Sequence, residues 1–293
     1  CVARAEDIDL FTGAPSGVAP TPPNVLFLID NTANWNTAFT NEIAALVNVF
    51  NGLAVGSGGT AKFNVGIMLF TETGSPNSNI DGGYMRAAIR PMTSANKTTY
   101  STLINSFNKV SDKSNAGKAG LAMAEAYYYF ASSIPRSGNS KAKADHTGNV
   151  TGSTQSKAVY ALTGNALSSF AATTYTGPNL ANCAKNYIIY VTNGAAQDSN
   201  NDTSTATTLL TELGGSSTAI PISPSGSQTN MADEWARFMR DSSKQITIYT
   251  LDIDKVTTGQ GPGWTALLKS MASVSSGKYF DVSSGVSQNI VDA

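Results

Sequence analysis

The sequence predicts an α/β fold, a doubly wound, mainly parallel sheet with helices on both faces. Three observations predict it. Short, mostly apolar runs at 25–29, 63–70, 187–191 and 246–251 read as strands buried on both faces, the pattern of a parallel sheet covered by helices. Segments with apolar residues at helical spacing separate these runs along the 293 residues. The first run ends on Asp30 and the third is followed by Asn193-Gly194, so polar side chains stand at strand ends, where ligands bind in such folds.

Residues 1–23 read as an extended lead-in, polar from residue 6 and carrying Pro15, Pro20, Pro22 and Pro23. Residues 24–293 read as one domain with an insertion at about 136–182. The first strand is Asn24 to Asp30. A helix over 37–50 follows, with Phe39, Ile43, Leu46, Val47 and Phe50 at helical spacing. Gly56-Ser57-Gly58-Gly59 breaks the chain before the second strand, Phe63 to Phe70. Tyr84 to Ile89 reads as a short edge strand. Helices are expected over 98–110 and 117–132, and a further one over 156–171, beyond an exposed Gly-, Ser-, Asn- and Lys-rich stretch at 136–154. The third buried strand is Tyr187 to Thr192. Helices over 204–213 and 229–243, a strand from Ile246 to Ile253, a helix from Trp264 to Val274 and a last strand from Lys278 to Val282 complete the pattern.

Composition narrows the function classes. Hydrophobic residues are 41% of the chain, enough for a sizeable core, while charged residues are only 13%, about half the usual share. The surface is therefore rich in Ser, Thr, Asn and Gly, a composition that suits secreted and filament-associated proteins. The 19 basic and 20 acidic residues leave a net charge of −1 and form no basic stretch, which argues against nucleic acid as a partner. No run of about 18 apolar residues exists, so the sequence predicts no transmembrane segment.

The two cysteines, Cys1 and Cys183, have no zinc spacing and no redox motif. Two readings stay open: a disulfide between them in an exported protein, or two unpaired cysteines. Ala3-Arg4-Ala5 matches the small-x-small end of a signal peptide with cleavage before Glu6, whereas cleavage before Cys1 would fit a lipoprotein.

Asp30-Asn31-Thr32-Ala33-Asn34 places oxygen-bearing side chains at alternate positions after a buried strand, as a hard cation requires. Asn115 precedes the helix at 117, and Asn193 ends another strand. Three loops at one sheet edge thus offer Asp30, Thr32, Asn34, Asn115 and Asn193. These residues allow two readings, a weakly held magnesium or calcium ion, or the capping of helices and loop backbone. Asp198, Asn200 and Asp202 match the start of a calcium loop. No Gly follows at the turn and no Glu stands at the twelfth position, so a polar surface loop is the competing reading.

The segment Pro23 to Asp30 resembles the opening strand of von Willebrand factor A (vWA) domains, and the loop after it resembles the Asp-x-Ser-x-Ser part of their metal-ion-dependent adhesion site. The resemblance implies a Thr where Asn115 stands and an Asp where Asn193 stands, with Thr32 and Asn34 replacing two serines. Asp30 alone keeps its charge among these five, which implies a degenerate site that needs no cofactor and binds magnesium or calcium weakly. Glu6 to Gly13, Ala124 to Phe130 and Asn182 to Ile189 resemble stretches of PilY-type proteins, bacterial type IV pilus tip-associated adhesins and assembly factors. This resemblance spans residues 6 to about 285. It implies a secreted, surface- or pilus-associated domain that binds pilus or filament subunits, or host and surface ligands. It also implies a large β-propeller further along the whole protein. A purely structural packing module of a filament is the alternative.

No enzymatic pattern competes. His146, the one histidine, sits in the polar insertion beside Asp145. No Gly-x-Ser-x-Gly elbow is present, and Gly56-Ser57-Gly58-Gly59 lacks the Lys of a phosphate loop. Asp252 and Asp254 end a strand and are assigned no catalysis.

Overall fold

The computed structural model describes residues 21–31, 37–70, 82–107, 112, 117–137, 163–168, 172–180, 184–282 and 287–293. Within them one sheet contains β1 (Asn24–Ile29), β2 (Asn64–Leu69), β3 (Tyr84–Pro91), β4 (Asn186–Thr192), β5 (Ile246–Ile253) and β6 (Tyr279–Val282). The strand order is β3-β2-β1-β4-β5-β6. All neighbours are parallel except β3, which runs antiparallel to β2 at one edge. The chain moves outward from β1 to β2 and β3, returns to the other side of β1 for β4, and continues to β5 and β6. Strand order therefore reverses between β1 and β4, the position where doubly wound folds build their sites.

Helices α1 (Thr37–Gly52), α2 (Ser94–Ser106) and α8 (Ser287–Asp292) pack together as one layer. The other layer contains α3 (Ala119–Phe130), α4 (Asn200–Glu212), α5 (Ala232–Asp241) and α7 (Pro262–Val274). The short α6 (Lys255–Thr258) follows β5. The expected α/β architecture is the one observed. Among the described residues no helix is long and apolar enough to cross a membrane.

The core forms because β1 and β4 lie in the middle of the sheet with both faces covered. Leu26, Leu28, Ile29, Ile188 and Val191 are buried, and Phe27 meets Phe50 of α1 at a ring distance of 5.4 Å. Gly66 explains the break in the apolar run of β2. A Cβ there would lie 2.8 Å from the Ile89 amide nitrogen, and the β2–β3 register shifts beside it. At the amino ends of the central strands, Asn24, Asn64 and Asn186 stand in register. Asn64 Nδ2 donates to Asn24 Oδ1 at 3.0 Å, and Asn24 Nδ2 donates to Asn186 Oδ1 at 3.0 Å. Asn186 Nδ2 continues the chain to the Lys244 carbonyl at 2.7 Å.

One expectation needs correction. Residues 163–168 form turns rather than part of a helix over 156–171, and the remainder of that span lies outside the described residues. The part of the insertion beyond the polar stretch packs against the domain. Ala166, Leu167 and Tyr175 are buried, and the Tyr175 hydroxyl donates to Glu125 in α3. This cover explains why every residue of α3 from Ala119 to Phe130 is buried. The stretch 138–162 lies outside the described residues, as do Cys1, Cys183, His146 and the first twenty positions.

Candidate functional site

The carboxyl ends of β1 and β4 bring Asp30 and Asn193 together. The Asp30 amide donates to the Val191 carbonyl at 2.9 Å, which extends the strand pairing by one residue. The Thr192 hydroxyl lies 3.1 Å from Asp30 Oδ2 and 2.8 Å from the Gly194 carbonyl. Asp30 and Asn193 are each only 1% exposed. The loop after β1 is tied to the second loop, because Asn31 Nδ2 donates to the Asp112 carbonyl at 3.1 Å. Asp112 in turn lies 3.5 Å from Arg86 of β3.

The structure adds a residue that the sequence reading passed over. Glu42, on α1, is completely buried, and among the described residues its carboxyl oxygens make no hydrogen bond of ordinary geometry, with only the Asn193 side chain facing them. Asn193 Oδ1 is also buried without one. Burial raises the Glu42 pKa well above the carboxylate range; the nearby Asp30 charge raises it further, and the facing Asn193 side chain offsets part of this. A second carboxyl therefore stands beside Asp30. The signal was present in the sequence. Phe39, Ile43, Leu46 and Phe50 mark the buried stripe of α1, and position 42 falls inside that stripe by its spacing to 39 and 46.

Of the five expected strand-end residues, the structure places Asp30 and Asn193 at the neighbouring ends of β1 and β4. Thr32, Asn34 and Asn115 lie outside the described residues. The proposed calcium-loop residues have other partners. Asp198 accepts from the amides of Ala119 and Gly120 at 3.0 and 3.1 Å, and from Asn230 Nδ2 at 2.8 Å. Burial raises the Asp198 pKa, and these donors partly offset it. Asn200 is the first residue of α4. Ser199 and Asp202 form a reciprocal capping box at the start of that helix. Burial alone would raise the Asp202 pKa, but Lys118 at 2.7 Å and the Ser199 donors outweigh it and lower the value. These carboxylates anchor α3 and α4 to each other.

Asp252, at the carboxyl end of β5, stands in register with Thr192. It is buried and accepts from Thr265 Oγ1 at 2.7 Å, from the Tyr279 hydroxyl at 2.9 Å and from Gln260. Its position is thus a satisfied polar node of the fold. Asp254 follows the strand in a left-handed conformation, φ 50°. Among the described residues no three His, Cys, Asp or Glu side chains converge. A cation at the β1–β4 edge would rely on two carboxylates and neutral oxygens.

No protein-family model matches the sequence, and no curated protein matches it. Several solved structures resemble it distantly. Proximal thread matrix protein 1 from the mussel byssus is 11% identical, with a TM-score of 0.48 over 92% of this chain and 47% of that one. The pilus adhesin SpaC from Lactobacillus rhamnosus GG is 10% identical, with a TM-score of 0.46 over 92% of this chain and 29% of that one. The SpRpn10 VWA domain is 9% identical, with a TM-score of 0.44 over 93% of this chain and 96% of that one. This chain spans about half the length of the mussel protein, 47%. At these TM-scores, 0.44 to 0.48, neither a fold family nor any residue's role follows from the likeness.

Proposed function

We infer that this chain is a vWA-type, non-enzymatic binding domain of a secreted or surface-exposed bacterial protein of the PilY type. It engages pilus or filament subunits, or host and surface ligands, through the loops at the carboxyl end of its sheet. The observation that carries this reading is that Asp30 and Asn193 stand at neighbouring strand ends at the β1–β4 reversal, Asp30 being the first residue of the stretch that resembles an adhesion motif. The PilY-type stretches at 124–130 and 182–189 support the finer assignment, and the low charge, 13%, suits a filament surface.

The test uses the chain coupled to beads. Retention under flow is measured on collagen-coated, fibronectin-coated and bare glass, and co-sedimentation is measured with purified type IV pilus filaments. The expected result is retention or co-sedimentation above that of beads carrying an unrelated protein of similar charge. Background binding in every arm overturns the reading.

A further inference from the structure

We propose that an aromatic strip on the α1 side of the sheet, made by Tyr187, Tyr249 and Phe280, is the docking surface for this chain's own acidic, apolar segment Glu6-Asp7-Ile8-Asp9-Leu10-Phe11. The contact does not depend on the adhesive role proposed above.

The strip follows from strand register. Ile189 of β4 pairs with Phe27 of β1, whose ring packs on Phe50 of α1, so Tyr187 and Ile189 face the α1 side. Tyr249 of β5 pairs with Ile189, and Phe280 of β6 pairs with Leu251, which places both on that side as well. The Tyr187 and Tyr249 rings lie 6.0 Å apart, and those of Tyr249 and Phe280 lie 6.4 Å apart. All three rings and Ile189 keep part of their surface exposed. On the other side of the same strands Ile188, Tyr190, Ile248 and Thr250 are fully buried. Towards the carboxyl ends Val191, Leu251 and Val282 are buried on the α1 side too. The opening is thus confined to the amino half of one face. A contiguous apolar patch with a charged rim marks an interaction surface.

The rim carries cations. Lys278 Nζ lies 5.0 Å from the Phe280 ring centroid, and the exposed Lys185 directly precedes β4. Arg240 Nη1 lies 3.4 Å from Oγ1 of Thr247, which pairs with Tyr187. The fitting occupant is therefore acidic and apolar together. Residues 6–11 are the one hexapeptide of the sequence with three acidic residues, and its other three are Ile8, Leu10 and Phe11. The chain can bring them there. Asn64 fixes its entry at the amino edge of the sheet, donating to the Pro22 carbonyl at 3.2 Å and to the Pro23 carbonyl at 2.9 Å. Residues 12–20 can span up to about 30 Å. Phe280, three strands from β1, is only about 15 Å across the sheet. Ile8, Leu10 and Phe11 then cover the rings, and the three carboxylates meet Lys185 and Lys278.

The test uses the full chain. Amide hydrogen exchange should show residues 8–11 protected about tenfold or more, a local opening equilibrium rather than a free strand of chain. Nuclear Overhauser contacts should join the Leu10 and Phe11 side chains to the Tyr249 and Phe280 rings. Leu10→Ser with Phe11→Ser should abolish both signals and leave the protection of β1 and β4 unchanged. Lys185→Glu with Lys278→Glu should lower the protection of residues 8–11 about threefold or more, as two exposed ion pairs become repulsive. Adding Asp7→Lys and Asp9→Lys to that variant should restore it. Unprotected amides at 8–11 in the wild type overturn the proposal. So does unchanged protection in the folded charge-reversed variant. Protection that disappears on dilution, in step with dissociation of a dimer, places the segment on a second copy and overturns docking within one chain.

Discussion

At the scale of single residues, burial and the neighbouring charges decide how tightly a carboxyl holds its proton. Glu234 shows the same physics as Glu42 away from the strand ends. Its Oε1 accepts from the Ile220 amide at 2.9 Å, but its Oε2 is buried without a partner, and Asp233 is adjacent in sequence. Burial, reinforced by Asp233, raises the Glu234 pKa from 4.5 to about 7. The folded state thus holds the proton more tightly than the unfolded one. The associated stability is complete below about pH 4.5 and is lost as pH rises through about 7. Glu234→Gln keeps an acceptor for Ile220 and carries no charge. It should flatten this part of the stability–pH curve and stabilise the protein at pH 8 by about 1 kcal/mol, a figure discounted for solvent screening from the 1.36 kcal/mol per pK unit. Urea unfolding at pH 5 and pH 8 checks it, and an unchanged pH slope would show that Glu234 is ionised freely in the fold.

At the scale of elements, α3 is the most informative. A helix apolar all round must be covered all round. The sequence run Ala-Gly-Leu-Ala-Met-Ala-Glu-Ala-Tyr-Tyr-Tyr-Phe announces such a helix, but its cover comes from distant places, α4 and α5 on one side and the segment around Tyr175 on another. The buried residues Ala166, Leu167 and Tyr175 beyond the polar stretch are too few to form a periodic pattern that would mark them as cover. Tyr175→Phe leaves the ring contact with Tyr129, 5.5 Å between centroids, and removes the hydroxyl donor to Glu125. The expected cost is about 1–2 kcal/mol, typical of a lost hydrogen bond that leaves a buried acceptor short of a donor. Chemical denaturation of the variant tests this, and a cost near zero would mean that the segment does not clamp α3.

At the scale of the whole molecule, stability should grade from the sheet centre to its edges. β1 and β4 are flanked by parallel partners on both sides, whereas β6 has four residues and a single neighbour. Hydrogen exchange should therefore release β6 amides through local opening and those of β1 and β4 only on global unfolding; equal protection of β6 and β1 would contradict this grading. The fold class, the buried strands and most helices were legible in the sequence, because burial on both faces and helical spacing are local properties of a chain segment. The asparagines that open β1, β2 and β4 were visible too, but their hydrogen-bonded row exists only because those strands are neighbours in register. Likewise Asp30 and Asn193 could be named from strand ends alone, since any doubly wound sheet places its polar turn residues at one edge. Glu42 could not be joined to them from sequence. Its spacing shows that it faces the sheet, but which strand end it meets depends on how α1 crosses the sheet after β1, and on β4 returning beside β1. That choice belongs to tertiary packing, where groups far apart in sequence are desolvated together and each decides the charge the other can carry.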